Sequence, residues 1–456
     1  MSGLVTIAKE RDVDVFGSDT AEKFITDELL LKQNIVPLVG FSAKNITDSL
    51  SGKQPNEVLV VATAAHGGLG NVEAEEAKRL GFEIVSYGRA LGIFMEGKRG
   101  ISVAGTHGKT TTTALLAHLL TRAKLDPSYL IGTSSVTSLG TAAHFGKGEF
   151  FIAEADEYVA DTQFDKTPKF LYQKPEIIVL TTIDWDHPDV FSSQAEVEKA
   201  FIKFVNSSED NAIVIANSDD PGIKHILPDL QRRIVTYGTE EGTMFYVNDI
   251  SHGDKTSFQA SHESESYRFS ISLSGKHNIL NATAAILAAY HAGVPIEGIQ
   301  KELPSFIGSK RRFEKVGEND GILFYDDYAH HPTEITATLK AFRDKFPGKR
   351  LIVLFQPHTY SRTKAFFNEF TTSFNDADIV GIVDIFSSSR EKADPTVTSA
   401  MLVAELKKQG KEASFVKTPS EFVASLQPKL QANDILVTMG AGDIYTWHER
   451  IRRAFK

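Results

Sequence analysis

A short glycine-containing loop followed by a lysine and threonines is the segment of this sequence that points most directly to chemistry. Residues 101–113 read ISVAGTHGKTTTT, so a β-rich run leads through Gly105 and Gly108 into Lys109 and a helical pattern. Glycines let the backbone turn tightly and direct N–H groups at a phosphate, and the N-terminus of the following helix favours an anion. Lys109 can reach β- and γ-phosphates, and the Thr110 hydroxyl can bind Mg²⁺. The segment therefore predicts a site for a nucleoside triphosphate.

The spacing of this loop differs from the common pattern G-x-x-x-x-G-K-[S/T]. Val103 stands where that pattern has its first glycine, and the glycine comes at Gly105 instead. The difference separates the loop from those of ordinary kinases and GTPases. The alternative is a glycine turn that binds nothing, but four consecutive threonines are poor helix formers with no packing reason to be there. We therefore favour the phosphate site.

Carboxylates and a histidine follow two later strand candidates. FFIAEADEY places Glu154 and Glu157 after one apolar run, and TTIDWDHPDVF places Asp186 and His187 after another. The carboxyl ends of neighbouring strands lie at the edge of an α/β sheet where ligands bind, so both groups could face one Mg²⁺. Mg²⁺ prefers oxygen ligands, which makes histidine a minority choice. Taken alone, these residues could equally form a solvated acidic turn and a surface histidine.

Two asparagines at a predicted helix start offer a site for a nucleotide base. SGKHNILNATAA contains His277, Asn278 and Asn281, and the asparagines share one helix face because they are three residues apart. A side-chain amide supplies both a donor and an acceptor, which adenine requires. The alternative is that the first asparagine only caps the helix. We favour the base-binding interpretation.

The last third of the chain carries three further polar segments. SKRRFEKVG contains Arg312, FYDDYAHHPTEI contains Asp327 and His330, and LIVLFQPHTYSRT contains His358 and Arg362. An arginine delivered to a phosphate would stabilise charge during phosphoryl transfer, although exposed arginine pairs are usually only solvated. The guanidinium fork of Arg362 suits recognition of a carboxylate.

In this order, the segments resemble the motifs of the Mur ligases, ATP-dependent amino-acid ligases of peptidoglycan synthesis, over nearly the whole chain. The resemblance implies nucleotide contacts from Gly105, Thr106, His107, Gly108, Lys109, Thr110, Thr111, His277, Asn278, Asn281, Arg312 and Asp327. It implies magnesium binding by Thr110, Glu154 and His187. It implies catalytic roles for Lys109, Glu157, Arg312 and His330, and substrate contacts from Tyr328, His358 and Arg362.

The resemblance also implies a reaction. ATP would activate the carboxylate of UDP-N-acetylmuramate as an acyl phosphate, and L-alanine would attack it. Gln356 to Thr363 favours this acceptor, whereas Asp156 to Phe170 looks more like the branch that attaches a recycled tripeptide. A nucleotide-binding relative that has lost sugar-nucleotide binding is a third alternative. Glycine or serine as the acceptor also stays open at this point.

One family motif has no counterpart at the start of the sequence. The resemblance leads us to expect a first strand and a loop of the form G-x-G-G-x-G-M-S-G-L-A, but the sequence begins with Met1-Ser2-Gly3-Leu4. Gly40 and Gly68 do not replace that loop in order. Either the true start codon lies upstream, or the first strand is absent; in the second case we expect the first domain to lack a central strand and to bind UDP-N-acetylmuramate weakly. Thr182, where relatives often have asparagine, is a second departure.

The elements that must position these residues alternate between strand-like and helix-like segments, which indicates α/β architecture with largely parallel sheets. We expect three Mur ligase domains. Residues 1–96 form a Rossmann-like domain that binds UDP-muramate, 97–306 a P-loop-type ATP-binding domain, and 307–456 a Rossmann-like domain that binds the amino acid. In the first domain, Val13 to Phe16, Ile35 to Val39 and Glu57 to Thr63 are strand candidates, and Asn71 to Gly81 is a helix candidate.

The amino-acid composition excludes several classes of protein and of site. The 456 residues carry 49 basic and 59 acidic side chains, a net charge of −10, so a general nucleic-acid surface is excluded. The sequence has no cysteine, which removes disulfides and thiolate metal sites and fits a reducing compartment. No apolar run is long enough for a membrane span, and the start does not resemble a signal peptide. We expect a cytoplasmic monomer or homodimer.

Overall fold

The computed structural model describes residues 1–22, 27–262, 264–387 and 391–455, which form three consecutive α/β units. Among these residues, no helix combines the length and the apolar character that crossing a membrane requires. The three units differ in how their sheets are built, and the active-site candidates lie mainly on the second and third.

The N-terminal unit contains two small parallel sheets rather than one continuous sheet. Its helices are α1 Ser2–Glu10, α2 Asp27–Lys32, α3 Ala43–Ser49, α4 Val72–Arg79 and α5 Tyr87–Met95, and its strands are β1 Ser18–Asp19, β2 Leu38–Val39, β3 Leu59–Ala62 and β4 Glu83–Ser86. Strand β1 pairs only with β2, and β3 only with β4, among the residues described.

One predicted strand in this unit is wrong. Val13 to Phe16 has no regular structure, and pairing begins only at Ser18. Val13 and Phe16 are both more than two-fifths exposed, so the apolar residues that suggested a buried strand do not enter the core. The predicted helix at Asn71 to Gly81 is confirmed as α4, with the Asn71 side chain accepting a hydrogen bond from the Glu73 N–H as its cap.

The central unit is organised by one ten-stranded sheet. The strands of this unit, all but β9 and β10 in the large sheet, are β5 Arg99–Ala104, β6 Ser128–Leu130, β7 Ala143–His144, β8 Phe150–Ala155, β9 Val159–Asp161, β10 Asp165–Pro168, β11 Pro175–Leu180, β12 Ile213–Asn217, β13 Arg233–Gly238, β14 Phe245–Ser251, β15 Thr256–His262 and β16 Glu265–Ile271. Its helices are α6 Lys109–Arg122, α7 Gln194–Asn206, α8 Pro221–Ile226, α9 Lys276–His291 and α10 Ile296–Glu302.

Strand order brings the predicted site residues to one edge of this sheet. The order is β16-β15-β14-β13-β12-β11-β5-β8-β6-β7, with β9 and β10 forming a separate hairpin. Strand β5 lies between β11 and β8 and is parallel to both, so their carboxyl ends meet. Helices α6 and α9 pack together against one face through a large apolar core that includes Leu115, Leu116 and Ile286.

The C-terminal unit is a six-stranded sheet in the order β17-β18-β22-β19-β20-β21, parallel except for β17. Its strands are β17 Glu314–Asn319, β18 Ile322–Asp327, β19 Leu351–Phe355, β20 Ile379–Ile382, β21 Glu412–Phe415 and β22 Ile435–Met439. Its helices are α11 Pro332–Lys345, α12 Tyr360–Ala365, α13 Phe367–Ser373, α14 Ser399–Lys408, α15 Pro419–Leu426 and α16 His448–Ala454. The carboxyl ends of β18 and β19 face the central unit.

Candidate active site

The loop between β5 and α6 is held against two neighbouring elements by its glycines. Gly105 has a φ of 145°, and a Cβ added there would lie 2.1 Å from Oγ1 of Thr181, at the end of β11. Gly108 caps α6 with a φ of 84°, and a Cβ added there would lie 2.5 Å from Oδ1 of Asn281. Both positions require glycine because of the backbone conformation and because of the close neighbours.

Lys109 is the first residue of α6 and is paired with a buried carboxylate. Its Nζ lies 2.8 Å from Oε2 of Glu157 and 3.3 Å from the carbonyl oxygen of Thr106. Burial acts to lower the pKa of Lys109, but the Glu157 carboxylate raises it above its ordinary value, so the lysine is charged. Glu157, which the resemblance suggested as a catalytic residue near the acceptor, is 2% exposed and contacts the phosphate loop through this pair.

Glu154 ends β8 directly beside the loop. It is in register with Val103 of β5, and its Oε1 accepts a hydrogen bond of 2.6 Å from the Gly132 N–H. Burial raises the pKa of Glu154, while Gly132, Lys109 and the Thr110 side chain oppose that shift. A buried carboxylate next to a threonine hydroxyl is a donor set that fits Mg²⁺. The geometry therefore brings together two of the three predicted metal ligands.

His187 lies in the same cluster, at a backbone position that is unusual for its residue type. Its φ is 57°, and its N–H donates to Oδ1 of Asp186 at 2.7 Å. The ring Nε2 lies 4.0 Å from Oε1 of Glu157 and 3.7 Å from Oδ2 of Asp186. The left-handed conformation directs the side chain toward Glu157 beside the phosphate loop. This contact brings the segment after β11 next to the ends of β5 and β8.

A cavity of about 140 Å³ opens between the central and C-terminal units beside the loop. Asn278 and Asn281 are buried on α9 and line it, and His277 lies at the same helix start. The Nδ2 of Asn278 donates to the Ser274 carbonyl at 2.8 Å, so one hydrogen-bond donor of this side chain stabilises the start of the helix. The cavity is lined by His107, Gly108, Thr111, Thr181, Thr182, Asn217, Leu273, His277, Asn278, Leu280, Asn281, Gly308, Ser309, Arg312, Phe313, Asp327, Thr333, Glu334, Ala337 and Thr338.

Arg312 and Asp327 form the C-terminal wall of this cavity. The Arg312 Nη1 lies 3.6 Å from Oε1 of Glu334, and its guanidinium lies 5.0 Å from the centre of the Tyr328 ring. Asp327 accepts hydrogen bonds from the N–H groups of Phe313 and Ala329 at 2.7 and 2.8 Å. Burial raises the pKa of Asp327 to about 6, even though Arg312 opposes this shift.

The adjacent arginine has a different role from Arg312. Arg311 is buried and donates to Oδ2 of Asp326 and to the carbonyls of Gly440 and Gly442. It joins β18 to the loop that follows β22. Of the two neighbouring arginines, only Arg312 lines the cavity.

Comparison with known proteins bears on the whole chain. Residues 1–99 match the model of the Mur ligase family catalytic domain, 103–289 the Mur ligase middle domain, and 311–442 the Mur ligase glutamate ligase domain. A UDP-N-acetylmuramate–L-alanine ligase of Desulfitobacterium hafniense is 39% identical over 98% of this chain and 95% of its own length. The chain belongs to the Mur ligase family.

Solved structures agree with this assignment. The crystal structure of UDP-N-acetylmuramate-alanine ligase from Thermotoga maritima superposes with a TM-score of 0.78 at 25% identity, covering 99% of this chain and 95% of that one. A murein peptide ligase from Psychrobacter arcticus shares the fold, with a TM-score of 0.71 at 23% identity over 100% of this chain and 96% of that one. The predicted three-domain Mur ligase architecture is thereby confirmed.

Three of the residues expected to contact the acceptor in this Mur ligase lie close together, whereas Arg362 is paired with another side chain. His330 and His358 have their ring centroids 5.9 Å apart at the mouth of the C-terminal sheet, and Tyr328 packs on the His330 ring. Burial lowers the pKa of His330 to about 4, although Glu334 opposes the shift, so this histidine is neutral. A pKa this far below neutral also makes the ring a weak base.

Arg362 does not present a free fork to a substrate carboxylate. Its Nε and Nη2 donate to Oδ1 and Oδ2 of Asp186 at 2.9 and 3.1 Å, and both side chains are more than nine-tenths buried. Burial acts to raise the pKa of Asp186, but the Arg362 guanidinium holds it well below its usual range. The pair connects α12 of the C-terminal unit to the loop that carries His187.

Sequence reasoning missed two contacts of His107, one to Glu334 of the C-terminal unit and one to Asp184 of the central unit. The ring Nδ1 lies 3.4 Å from Oε1 of Glu334, and Nε2 lies 3.6 Å from Oδ2 of Asp184. Burial acts to lower the pKa of His107, but these two carboxylates raise it to about 9. A signal for Glu334 was present, since His331 and Glu334 form a capping box at the start of α11. Nothing in the sequence linked that helix to the phosphate loop.

Proposed function

We propose that this Mur ligase joins L-alanine to the carboxyl group of UDP-N-acetylmuramate at the expense of ATP, in peptidoglycan precursor synthesis. The observation that carries the proposal is the shared cavity, which has the phosphate loop on one wall and Arg312 and Asp327 on the other. A loop that binds the triphosphate therefore faces an arginine from a different unit, as phosphoryl transfer requires. The choice of L-alanine rests on the name of the relative that is 39% identical over nearly the full length.

The first step transfers the γ-phosphoryl group. A carboxylate oxygen of UDP-N-acetylmuramate attacks the γ-phosphorus, the bond between that phosphorus and the β–γ bridging oxygen breaks, and ADP leaves. Lys109 and Arg312 neutralise the negative charge on the transferring group. Thr110, Glu154 and His187 would hold magnesium, which would supply further neutralisation of the phosphates. Asp327 and Asn281 line the part of the cavity that suits ribose and base.

The second step forms the amide bond. The amine of L-alanine attacks the acyl carbon, and the tetrahedral intermediate expels phosphate together with the original carboxylate oxygen. The attacking amine must lose a proton, and we propose that His330 faces this amine; because a pKa of about 4 makes the ring a weak base, the proton leaves with the expelled phosphate. Because the reaction needs two substrates in line, positioning by the two units supplies much of the catalysis.

The segment that suggested the tripeptide-adding alternative has a structural role in this protein. In the β9–β10 hairpin, Oδ2 of Asp161 accepts a hydrogen bond from the Leu69 N–H at 2.8 Å, and the Phe164 ring lies against Gly70. The side chains of Asp161 and Phe164 thus dock the N-terminal unit. This contact explains their presence without reference to the acceptor, which favours L-alanine.

A phosphate-release assay tests the proposal. The full chain is supplied with ATP, Mg²⁺ and UDP-N-acetylmuramate, and L-alanine is compared with glycine, L-serine and L-alanyl-γ-D-glutamyl-diaminopimelate. We expect release that depends on all components and is fastest with L-alanine. Faster release with the tripeptide would replace the proposed acceptor, and release that ignores UDP-N-acetylmuramate would contradict the ligase reaction.

A further inference from the structure

A second cluster of metal-binding side chains lies between the phosphate loop and the start of α11. His107 comes from the loop, Asp184 from the segment after β11, and His331 from the cap of α11. One ligand atom from each lies within 4.8 Å of those of the other two. None of these residues belongs to the predicted magnesium ligands Thr110, Glu154 and His187, so the cluster is a separate set of donors.

Oδ2 of Asp184 is the common point of this cluster. It lies 3.6 Å from Nε2 of His107 and 3.9 Å from Nδ1 of His331, and the two rings are 4.9 Å apart. The Thr333 hydroxyl donates to the same oxygen at 2.9 Å and fixes the carboxylate. Ligand atoms around one tetrahedral zinc ion are about 3.4 Å apart, so modest side-chain rotations would bring the three donors to that spacing.

Two of the imidazole nitrogens make no hydrogen bond in the part of the chain described. Nε2 of His107 and Nε2 of His331 are both shielded from solvent and lack a hydrogen-bond partner there, and His331 is only 3% exposed. Buried polar atoms are normally satisfied, and exceptions call for an explanation such as an ion. A bound cation would take the place of the 3.6 Å contact between Nε2 of His107 and Asp184, and it would explain why neither nitrogen is hydrogen-bonded.

The surroundings of His107 match those of a metal-ligating histidine. Such a ring usually donates its second N–H to a carboxylate, which fixes the tautomer, and Nδ1 of His107 faces Oε1 of Glu334 at 3.4 Å. Two imidazoles and one carboxylate favour zinc and neighbouring transition metals over Mg²⁺, which prefers oxygen ligands.

We propose that His107, Asp184 and His331 bind a transition-metal dication of the zinc type, with Glu334 orienting His107. The ion joins the phosphate loop of the central unit to the first turn of α11. It therefore fastens the two walls of the nucleotide cavity to each other. The site does not depend on which acceptor the enzyme uses.

Zinc titration of the full chain tests this site by calorimetry, without nucleotide and with excess Mg²⁺ to fill the oxygen-donor positions. Because protons compete for imidazole, the titration is run at about pH 8. We expect one site in the wild type, and binding at least tenfold weaker in Asp184→Asn and in His331→Asn. Glu334→Gln should weaken binding by about 10–100-fold, the usual cost of losing an orienting partner. His225→Asn is the control, since His225 pairs with Glu198 elsewhere and its loss should not change binding.

Unchanged zinc affinity in Asp184→Asn would overturn the site. If the variants do not fold, as judged by thermal melting without metal, anomalous diffraction at the zinc edge from the wild-type protein decides. A peak between His107, Asp184 and His331 supports the site. A peak only near Glu154 and His187, or no peak, overturns it.

Discussion

On the proposed nucleotide side of the active site, the functional side chains come from the ends of neighbouring strands. Lys109 follows β5 and pairs with Glu157, which follows the adjacent strand β8, and Glu154 is the penultimate residue of β8. On the acceptor side, the residue with the clearest chemical promise, Arg362, is paired with Asp186 of a different unit. The difference shows that local motifs fix the phosphate site, whereas the acceptor site depends on how two units meet.

Removing the lysine of the loop should have the largest effect on the nucleotide side. We expect Lys109→Ala to lower kcat by about 10²–10³-fold, because it deletes a buried charge that neutralises the transferring phosphoryl group. Initial rates of phosphate release measure this change. Lys199→Ala, an exposed lysine on α7, is the matched control and should leave the rate unchanged. More than about a tenth of wild-type turnover in Lys109→Ala, a loss below roughly 1.4 kcal/mol, would contradict the role of the lysine.

Breaking the Asp186–Arg362 pair should lower the free energy of unfolding and should not act directly on phosphoryl transfer. We expect Asp186→Asn to lower the free energy of unfolding by about 3 kcal/mol, because it leaves the Arg362 guanidinium buried without its anionic partner. Urea denaturation measures the loss. Glu449→Gln breaks exposed pairs with Arg452 and Arg453 and should leave stability almost unchanged, because solvent screens such pairs. A loss equal to that of Glu449→Gln would mean that Asp186 and Arg362 do not hold the units together.

The half-buried His277, which lines the cavity at the start of α9, should make stability depend on pH. Burial, with help from Arg312, lowers the pKa of His277 from 6.5 to about 4. A depressed folded-state pKa gives stability that is present above pH 6.5 and lost as pH falls toward 4. We expect His277→Gln to reduce this loss by about 2 kcal/mol between those two pH values.

Denaturation curves at pH 6.5 and 4 for wild type, His277→Gln and the exposed control His252→Gln compare the two positions. The control should follow the wild type. An equal loss of stability between pH 6.5 and 4 in all three proteins would show that His277 is not held neutral by burial.

Loss of the histidine ligand should have the smallest effect, confined to the metal requirement. We expect His187→Ala to raise the Mg²⁺ concentration for half-maximal rate by about tenfold at saturating ATP, as for other weakened metal sites. The apparent KM for ATP at saturating Mg²⁺ should change less. His225→Ala serves as the control. An unchanged Mg²⁺ profile in an active His187→Ala protein would remove His187 from the ligand set.

The parts of the fold and site that could be predicted are those fixed by local patterns. The β5–loop–α6 segment and the helix starting at Lys276 follow from apolar runs, glycines and the polar residues at the helix starts. Val13 to Phe16 shows the limit, because apolar residues predict a strand but not whether a partner strand covers it.

Pairs that cross between units could not be predicted at all. The Arg362–Asp186 contact joins residues 176 positions apart, and the contact from Thr333 to Asp184 joins residues 149 apart. Their geometry depends on the packing of two separately built sheets. The sequence therefore identified Arg362 as a carboxylate binder but could not identify which carboxylate it binds.

The most direct test of the proposed acyl-phosphate reaction follows one carboxylate oxygen of UDP-N-acetylmuramate into the released phosphate. UDP-N-acetylmuramate labelled with ¹⁸O in its carboxyl group is incubated with the enzyme, ATP, Mg²⁺ and L-alanine, and the released phosphate is analysed by mass spectrometry. Attack of the carboxylate on the γ-phosphorus followed by expulsion of phosphate predicts one ¹⁸O atom in each phosphate released. Unlabelled phosphate formed together with the amide product would contradict the acyl-phosphate reaction and the arrangement of Lys109 and Arg312 around it.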